Sequence, residues 1–449
     1  MHVDVDRLID ERPISALQIR VFILCALVAV LDAVDSQSIG VAGPLIRDAF
    51  HMSAGAFAPV YSAGLFGAAI GALAFGPISD RFGRRPMLIF TTALFGVFTC
   101  LTVFADSFPV LVFYRFVAGL GLGGATPCFI TMAAEYAPQK HRAMLVSLLW
   151  AGYPLGNAVG GFMTAYLIKN YEWPMVFYAG GVPTLILAVL LFFGMPESVR
   201  FLAARGAKDR SARLARKLDP ALPANVDVTA RQKASQKRVS LRELFTDGRA
   251  AGTILLGLML YFGFWTTTVI VLQIPTLFRE AGVPLATSAF LVAVYSLVAT
   301  FGMAIAGALL KRVGPVWALV PTFVGGGVLL ATLGALAGTP LLAGTVMMGL
   351  GLTVSVASSA VIALAATSYP TVMRSAGAGW TLAMGRFGQV CSPLVIGALL
   401  TMNMSPGRIL TIMALAPVLG GVCALLKAML SREQAGALTD APGAAEKTA

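Results

Sequence analysis

The chain has 449 residues, of which 57% are hydrophobic and only 12% are charged, and its formal net charge is +12. This composition excludes an ordinary water-soluble globular protein and makes the lipid bilayer the relevant solvent. A positive charge of this size can indicate nucleic-acid binding. The basic residues, however, lie in the turns between apolar segments, so we expect no nucleic-acid partner.

Twelve apolar segments have the length of roughly 20 residues that a membrane-spanning helix needs. They are predicted at 17–42, 57–78, 87–105, 109–133, 143–168, 175–194, 250–277, 286–310, 315–336, 341–366, 374–400 and 408–429. The predicted fold is an all-α integral membrane protein with twelve transmembrane helices in two six-helix halves. The predicted domains are the first half 1–194, a cytoplasmic linker 195–249, the second half 250–430 and a cytoplasmic tail 431–449.

The first span carries two carboxylates, Asp32 and Asp35, in an otherwise apolar helix. A spacing of three residues places them on one face, about one turn apart. One negative charge then disfavours a second nearby, so the pair can hold a proton near neutral pH and release it when its surroundings change. We predict that Asp32 and Asp35 couple transport to protons.

The turn after the second span reads Gly76-Pro-Ile-Ser-Asp80-Arg81-Phe-Gly83-Arg84-Arg85. Its arginines can pair with acids from neighbouring helices, and its glycines allow a tight turn. We expect a cytoplasmic charge network that holds one conformational state and breaks when that side opens. Its predicted members are Gly76, Asp80, Arg81, Arg84, Glu135, Arg142, Glu197, Arg200 and Arg374.

The fourth span contains Arg115, followed by a row of glycines at 119, 121, 123 and 124 that is interpreted as a packing face. An arginine at the centre of a span costs roughly 2.5–3.5 kcal/mol, so it should face protein or a water-filled cavity and have an anionic partner. The internal repeat gives it no counterpart, since the equivalent position holds Thr345. This asymmetry favours a functional role, and we predict that Arg115 binds substrate.

The eleventh span begins at Arg374 and carries a second arginine, Arg386, twelve residues further on. At roughly 1.5 Å per residue this places Arg386 near mid-membrane. A buried guanidinium there can bind a carboxylate in bidentate fashion. We predict a substrate contact for Arg386, with contact to an aspartate as the alternative, and a position at the cytoplasmic membrane surface for Arg374.

An internal repeat divides the chain at the linker. Gly76 and Gly307, Gly119 and Gly349, and Pro138 and Pro370 open similar motifs at separations of 231, 230 and 232 residues. With the N-terminus inside, the predicted outside loops hold only four basic residues, Arg47, Lys169, Arg279 and Arg408. This positive-inside bias, with an even number of spans, predicts that both termini are cytoplasmic. Two parallel repeats that rock about a midplane site are typical of secondary transporters.

These motifs together resemble the major facilitator superfamily and, within it, the aromatic acid:proton symporter family. The resemblance rests on the full 76–85 loop, the acidic pair of the first span, the run Pro196-Glu-Ser-Val-Arg200-Phe-Leu and the arginines of the eleventh span. It implies a bacterial inner-membrane protein that imports benzoate, hydroxybenzoate or phenylpropionate types of acid with protons. In that family the first-span acids and eleventh-span arginines matter for uptake, which implies the same for Asp32, Asp35, Arg374 and Arg386.

Three alternatives stay open from the sequence. One is proton-coupled transport of a sugar, polyol or non-aromatic organic acid, although the expected tenth-span tryptophan and seventh-span Gln-Leu-Ser run are absent. Another is a drug/proton antiporter, whose Gly-Pro-rich fifth span is only partly matched. A membrane sensor derived from a transporter would need a longer cytoplasmic domain. We expect no enzymatic activity, no metal site and no cofactor besides the proton gradient, with membrane lipid as surroundings and a monomeric state.

Overall fold

The computed structural model describes residues 2–10, 12–53, 55–219, 222–223, 227–229, 241–246, 248–336, 339–370 and 373–439. Almost all of this part of the chain is helical. The helices of the first half and linker are α1 (Val5–Asp10), α2 (Ala16–Ala49), α3 (Ala58–Phe82), α4 (Arg84–Leu101), α5 (Phe108–Tyr136), α6 (Gln139–Asn170), α7 (Pro174–Gly194), α8 (Val199–Ala204) and α9 (Lys208–Leu218). A short parallel pair of strands joins β1 (His2–Asp4) to β2 (Asp227–Thr229).

The second half is built in the same way. Its helices are α10 (Ala250–Thr268), α11 (Ile274–Glu280), α12 (Leu285–Ala335), α13 (Pro340–Ser368), α14 (Arg374–Thr401), α15 (Pro406–Met413) and α16 (Leu415–Thr439). A π-helical turn, Val269–Gln273, joins α10 to α11 and makes them one long segment. Eleven helical segments in the described residues are long and apolar enough to span a membrane.

The twelfth span is contained in α12, which is too long for one crossing. Its 51 residues include Gly314, whose backbone angles of φ 79° and ψ 169° lie outside the helical region. The helix therefore breaks there into two consecutive spans, as predicted from the segments 286–310 and 315–336. The all-α membrane fold with twelve spans is confirmed.

The surface of the spans is apolar. Leu73, Phe193, Trp317 and Leu341 are each more than two-thirds exposed. Side chains of this kind on so many faces have no partner in water, and a bilayer accommodates them.

The first span begins at a capping box, in which Ser15 and Gln18 exchange hydrogen bonds.

Two compact units divide the structure. One contains residues 1–236 with 271–297 and 393–403, and the other contains 237–270, 298–392 and 404–449. Helices α2 to α7 and two segments of the second half thus belong to the first unit. The domain boundaries at 194, 249 and 430 stay a prediction of the sequence.

Candidate functional site

A buried ion pair lies in the interior of the first unit. Arg115 Nη2 donates to Asp35 Oδ2 at 2.9 Å, and Nη1 donates to Oδ1 at 3.3 Å. The hydroxyl of Thr99 donates to the same Oδ1 at 2.7 Å. Asp35 is fully buried, the Arg115 side chain is 3% exposed, and its guanidinium lies 5.9 Å from the ring centre of Phe177. The arginine thus has the anionic partner that its place in a span requires.

Close helix packing brings these side chains together. A Cβ at Gly119 would lie 2.0 Å from the carbonyl oxygen of Gly64, and one at Gly121 would lie 2.7 Å from the backbone nitrogen of Phe95. The glycine row of α5 is therefore a packing face against α3 and α4. One turn before this row, Arg115 points from α5 toward Asp35 on α2.

Asp32 and Asp35 have different surroundings despite their shared helix. Asp32 lies one turn before Asp35 and is also buried, at 7% exposure. Arg115 forms its ion pair with Asp35. Removing a charge pair from water is costly unless both partners are well bonded, and the two Arg115 nitrogens and the Thr99 hydroxyl supply such bonds to Asp35. Asp32 is the nearby carboxylate outside that ion pair.

The second predicted arginine site lies in the other unit. Arg386 occupies the middle of α14, is half-buried, and donates from Nη1 to Gln389 Oε1 at 3.1 Å. Arg374 is the first residue of α14 and is exposed. The membrane depth of Arg386 and its contact with substrate both stay predictions.

A charge cluster forms around Arg84, where α3, α4, α5 and the segment before α8 meet. Arg84 Nη2 lies 3.0 Å from Asp80 Oδ1 and 3.1 Å from Glu135 Oε1. Glu197 Oε1 accepts from the backbone N–H groups of Arg84 at 3.1 Å and Arg85 at 3.3 Å. A carboxylate at the first turn of α4 is favourable because unpaired N–H groups and the helix dipole meet it there.

Further bonds connect this cluster to its neighbours. Ser198 donates its hydroxyl hydrogen to Glu135, and Tyr136 donates to the carbonyl oxygen of Glu197 at 2.6 Å. Gly83 has φ 107°, and a Cβ there would lie 2.4 Å from Glu197 Oε2. This position therefore requires glycine on both conformational and steric grounds.

The other residues predicted for the cytoplasmic charge network lie outside the Arg84 cluster or at its edge. The carbonyl of Gly76 accepts from Ser79 at 2.7 Å, the exposed Arg81 accepts from Arg205 through its carbonyl, and Arg200 is the second residue of α8. Arg142 donates to the carbonyl of Ala137 at 3.3 Å and does not pair with Glu135 in this structure. Residues 137 and 138 are not helical and separate α5 from α6, so Glu135 and Arg142 lie on different helices.

A second ion-pair cluster joins the last turn of α2 to the end of α11. Arg47 Nη1 binds Glu280 Oε1 at 2.5 Å, and Arg279 Nη2 binds Asp48 Oδ2 at 2.6 Å. Below them Tyr61 and Thr276 share a hydrogen bond of 3.3 Å. From the sequence, Arg47 and Arg279 were predicted only as basic residues of outside loops.

The internal repeat contains the signal that would have found this cluster. Arg47-Asp48 and Arg279-Glu280 are separated by 232 residues (279 − 47), within the range of the other repeated motifs. Each repeat supplies one base and one acid, and each base binds the acid of the other repeat.

Comparison with known proteins assigns the chain to a family. The profile of the Major Facilitator Superfamily matches residues 25–276 and 253–448. The crystal structure of a D-xylose-proton symporter has the same fold, with a TM-score of 0.69, 18% identity and coverage of 90% of this chain and 97% of that one. The chain therefore belongs to the major facilitator superfamily, which makes it a multi-pass membrane transporter and not an enzyme.

The particular branch follows from curated relatives. The chain is 32% identical over 439 residues to the 4-hydroxybenzoate transporter PcaK of Pseudomonas aeruginosa, covering 97% of this chain and 98% of the relative. It is also 32% identical over 441 residues to the gallate transporter of Pseudomonas putida, covering 98% of each. The resemblance to the aromatic acid:proton symporter family is thereby confirmed.

Proposed function

We propose that the protein imports an aromatic carboxylate together with protons across the bacterial inner membrane, by alternating access. The observation that carries the proposal is the buried Asp35–Arg115 ion pair, in a chain related over nearly its full length to transporters of 4-hydroxybenzoate and gallate. A proton can neutralise the aspartate, and a substrate carboxylate can replace it on the arginine.

The exchange follows from charge balance in a low-dielectric interior. Protonation of Asp35 removes the negative charge that Arg115 faces at 2.9 Å. A buried guanidinium without an anion is costly, so an incoming carboxylate is then favoured at the same nitrogens. Asp32, one turn away, takes part in holding the proton, and Arg386 supplies a second guanidinium for the substrate. Loading of proton and acid together keeps the net charge of the site constant and lets the halves rock.

The two ion-pair clusters act as gates in this scheme. The Arg84 cluster holds the cytoplasmic side closed, and the Arg47–Glu280 and Arg279–Asp48 pairs hold the opposite side closed. Both clusters are bonded in this structure, so each breaks at a different step of the cycle. Each gate must break its bonds when its side opens. We further infer that both termini are cytoplasmic, that the proton gradient supplies the energy without a bound cofactor, and that the monomer in membrane lipid is the working unit.

Uptake into proteoliposomes tests the proposal. Purified protein is reconstituted and given radiolabelled benzoate, 4-hydroxybenzoate, 3-phenylpropionate or a hexose, with and without an inward proton gradient. We expect accumulation of an aromatic acid that requires the gradient and collapses with a protonophore. Accumulation of the hexose alone, or export driven by the gradient, would refute the proposal.

A further inference from the structure

Three buried polar side chains, Gln37, Asn157 and Thr164, belong to α2 and α6, in the same unit as the Asp35–Arg115 pair, and have no part in that pair. Gln37 and Thr164 are fully buried, and Asn157 is 4% exposed. Within the described residues, neither amide atom of Gln37 has a hydrogen-bond partner, and the same holds for Asn157 Oδ1 and Thr164 Oγ1. Buried polar groups in proteins are almost always bonded, so this group requires an explanation.

The packing of α6 shows that these side chains share one region. A Cβ at Gly160 would lie 3.2 Å from the Cβ of Gln37 on α2, and a Cβ at Gly161 would lie 2.8 Å from the Cβ of Ala293 on α12. Helix α6 therefore packs against both α2 and the beginning of α12. Asn157 and Thr164 lie four residues before and three residues after Gly161, on the same face of α6.

The region continues the polar face of α2 away from Asp32. One residue before Gln37, Ser36 shares a hydrogen bond of 3.3 Å with Tyr153, which lies one turn before Asn157 on α6. One turn after Gln37, Val41 packs with Leu285 and Ala289 of α12. Polar groups thus line the space between α2 and α6 up to the contact with α12.

We propose that Gln37, Asn157 and Thr164 form a subsite that binds a hydroxyl group on the ring of the substrate, and so select hydroxylated aromatic acids over unsubstituted ones. This inference rests on the proposed function. A phenolic hydroxyl both donates and accepts, so it matches the free carbonyl and N–H₂ groups of Gln37. The contact of α2 with α12 must open in an alternating-access cycle, because α12 belongs to the second repeat, and this opening gives the ring access.

The buried polar groups of the subsite should discriminate between aromatic acids with and without a ring hydroxyl. A substrate that lacks the hydroxyl leaves them unbonded in a closed interior, whereas a hydroxylated one bonds them. We expect the ratio of uptake efficiencies, Vmax/KM, to favour 4-hydroxybenzoate over 4-fluorobenzoate by about fivefold, the effect of a single neutral hydrogen bond of roughly 1 kcal/mol when about 1.4 kcal/mol corresponds to a factor of ten. Fluorine fills a similar volume but cannot donate, so the comparison isolates the bond from the fit.

The test measures this ratio in wild type, Gln37→Leu, Asn157→Leu and Thr164→Val, in the same proteoliposome assay with a proton gradient. Uptake of both substrates is measured on the same preparation of each variant, so differences in the amount of folded protein cancel in the ratio. We expect the ratio to fall toward one in Gln37→Leu and to fall partly in the other two. Thr92→Val is the matched control, since Thr92 is also fully buried with an unbonded hydroxyl among the described residues but lies on α4. Its ratio should stay at the wild-type value.

Two results would overturn the subsite. One is a wild-type ratio near one, and the other is a wild-type preference that survives in all three variants. In both cases gradient-driven uptake of the two acids would still support the proposed function. If wild type accumulates neither these acids nor benzoate and 3-phenylpropionate, the proposed function fails and the subsite fails with it.

Discussion

Removal of one member of the Asp35–Arg115 pair should destabilise the protein more than removal of both. Asp35→Asn leaves a buried guanidinium without its anion. Arg115→Gln leaves a buried carboxylate whose remaining hydrogen bond, among the described residues, comes from the neutral hydroxyl of Thr99. The N···O distance of 2.9 Å corresponds to about 6 kcal/mol of Coulomb attraction at an effective dielectric constant of 20. Desolvation opposes this attraction, and breaking a buried pair by removing one partner costs about 3–5 kcal/mol.

A double-mutant cycle measures the coupling. Wild type, both single variants and Asp35→Asn/Arg115→Gln are compared by thermal unfolding in detergent, with Thr99→Val as a milder reference. We expect the double variant to unfold at a higher temperature than the less stable single variant, because it contains no unpaired charge. All three charge variants should lose gradient-driven uptake. Losses of stability that simply add in the double variant would refute the interpretation of a coupled buried pair.

Three other predictions concern the acid pair and the two gates. Asp32→Asn should abolish gradient-driven accumulation yet retain exchange of labelled for unlabelled substrate, measured by counterflow; normal accumulation would contradict its coupling role. Glu197→Ala removes the acceptor of the backbone N–H groups at the start of α4 and should expose the buried thiol of Cys128. In a protein that lacks the other cysteines, a maleimide should therefore react faster with Cys128 when Glu197 is replaced than when it is present. An unchanged rate would argue against a gate there. A disulfide formed in Arg47→Cys/Glu280→Cys should stop uptake until a reductant is added; full uptake by the oxidised protein would exclude that gate.

Much of the fold could be predicted because the bilayer imposes a length on each helix. The break at Gly314 was predicted as the boundary between two spans and is confirmed by its backbone angles. The first span was predicted to end at 42, seven residues before the helix ends, so the predicted segment stopped short of Gly43 and Pro44. The helix continues to Ala49, and proline is tolerated inside such helices where neighbours satisfy the freed backbone groups. This error removed Arg47 and Asp48 from the helix and hid their ion pairs.

The candidate site was predictable by residue type but not by pairing. An arginine within a span requires an anion, and this identified Arg115 and the need for a partner. Which of two aspartates one turn apart takes that place depends on the direction of each side chain on α2, and Asp35 is the one that meets Arg115 of α5 and Thr99 of α4. Glu135 and Arg142 were predicted to belong to one network, but they lie on different helices, and Arg142 donates to the carbonyl of Ala137. Among the described residues the Gln37 amide has no hydrogen-bond partner, and this could not be predicted, because it depends on which groups the neighbouring helices place beside it.

The π-helical turn Val269–Gln273 sets the rotational phase of everything that follows it in the seventh span. A π turn takes one residue more than an α turn, so the residues after it lie about 100° away from the positions they would occupy if the same sequence continued as an uninterrupted α-helix. In that uninterrupted helix Arg279 and Glu280 would leave the face that meets Arg47 and Asp48. The irregular turn thus sets the rotation that aligns two similar dipeptides, Arg47-Asp48 and Arg279-Glu280, so that the arginine of each meets the acid of the other.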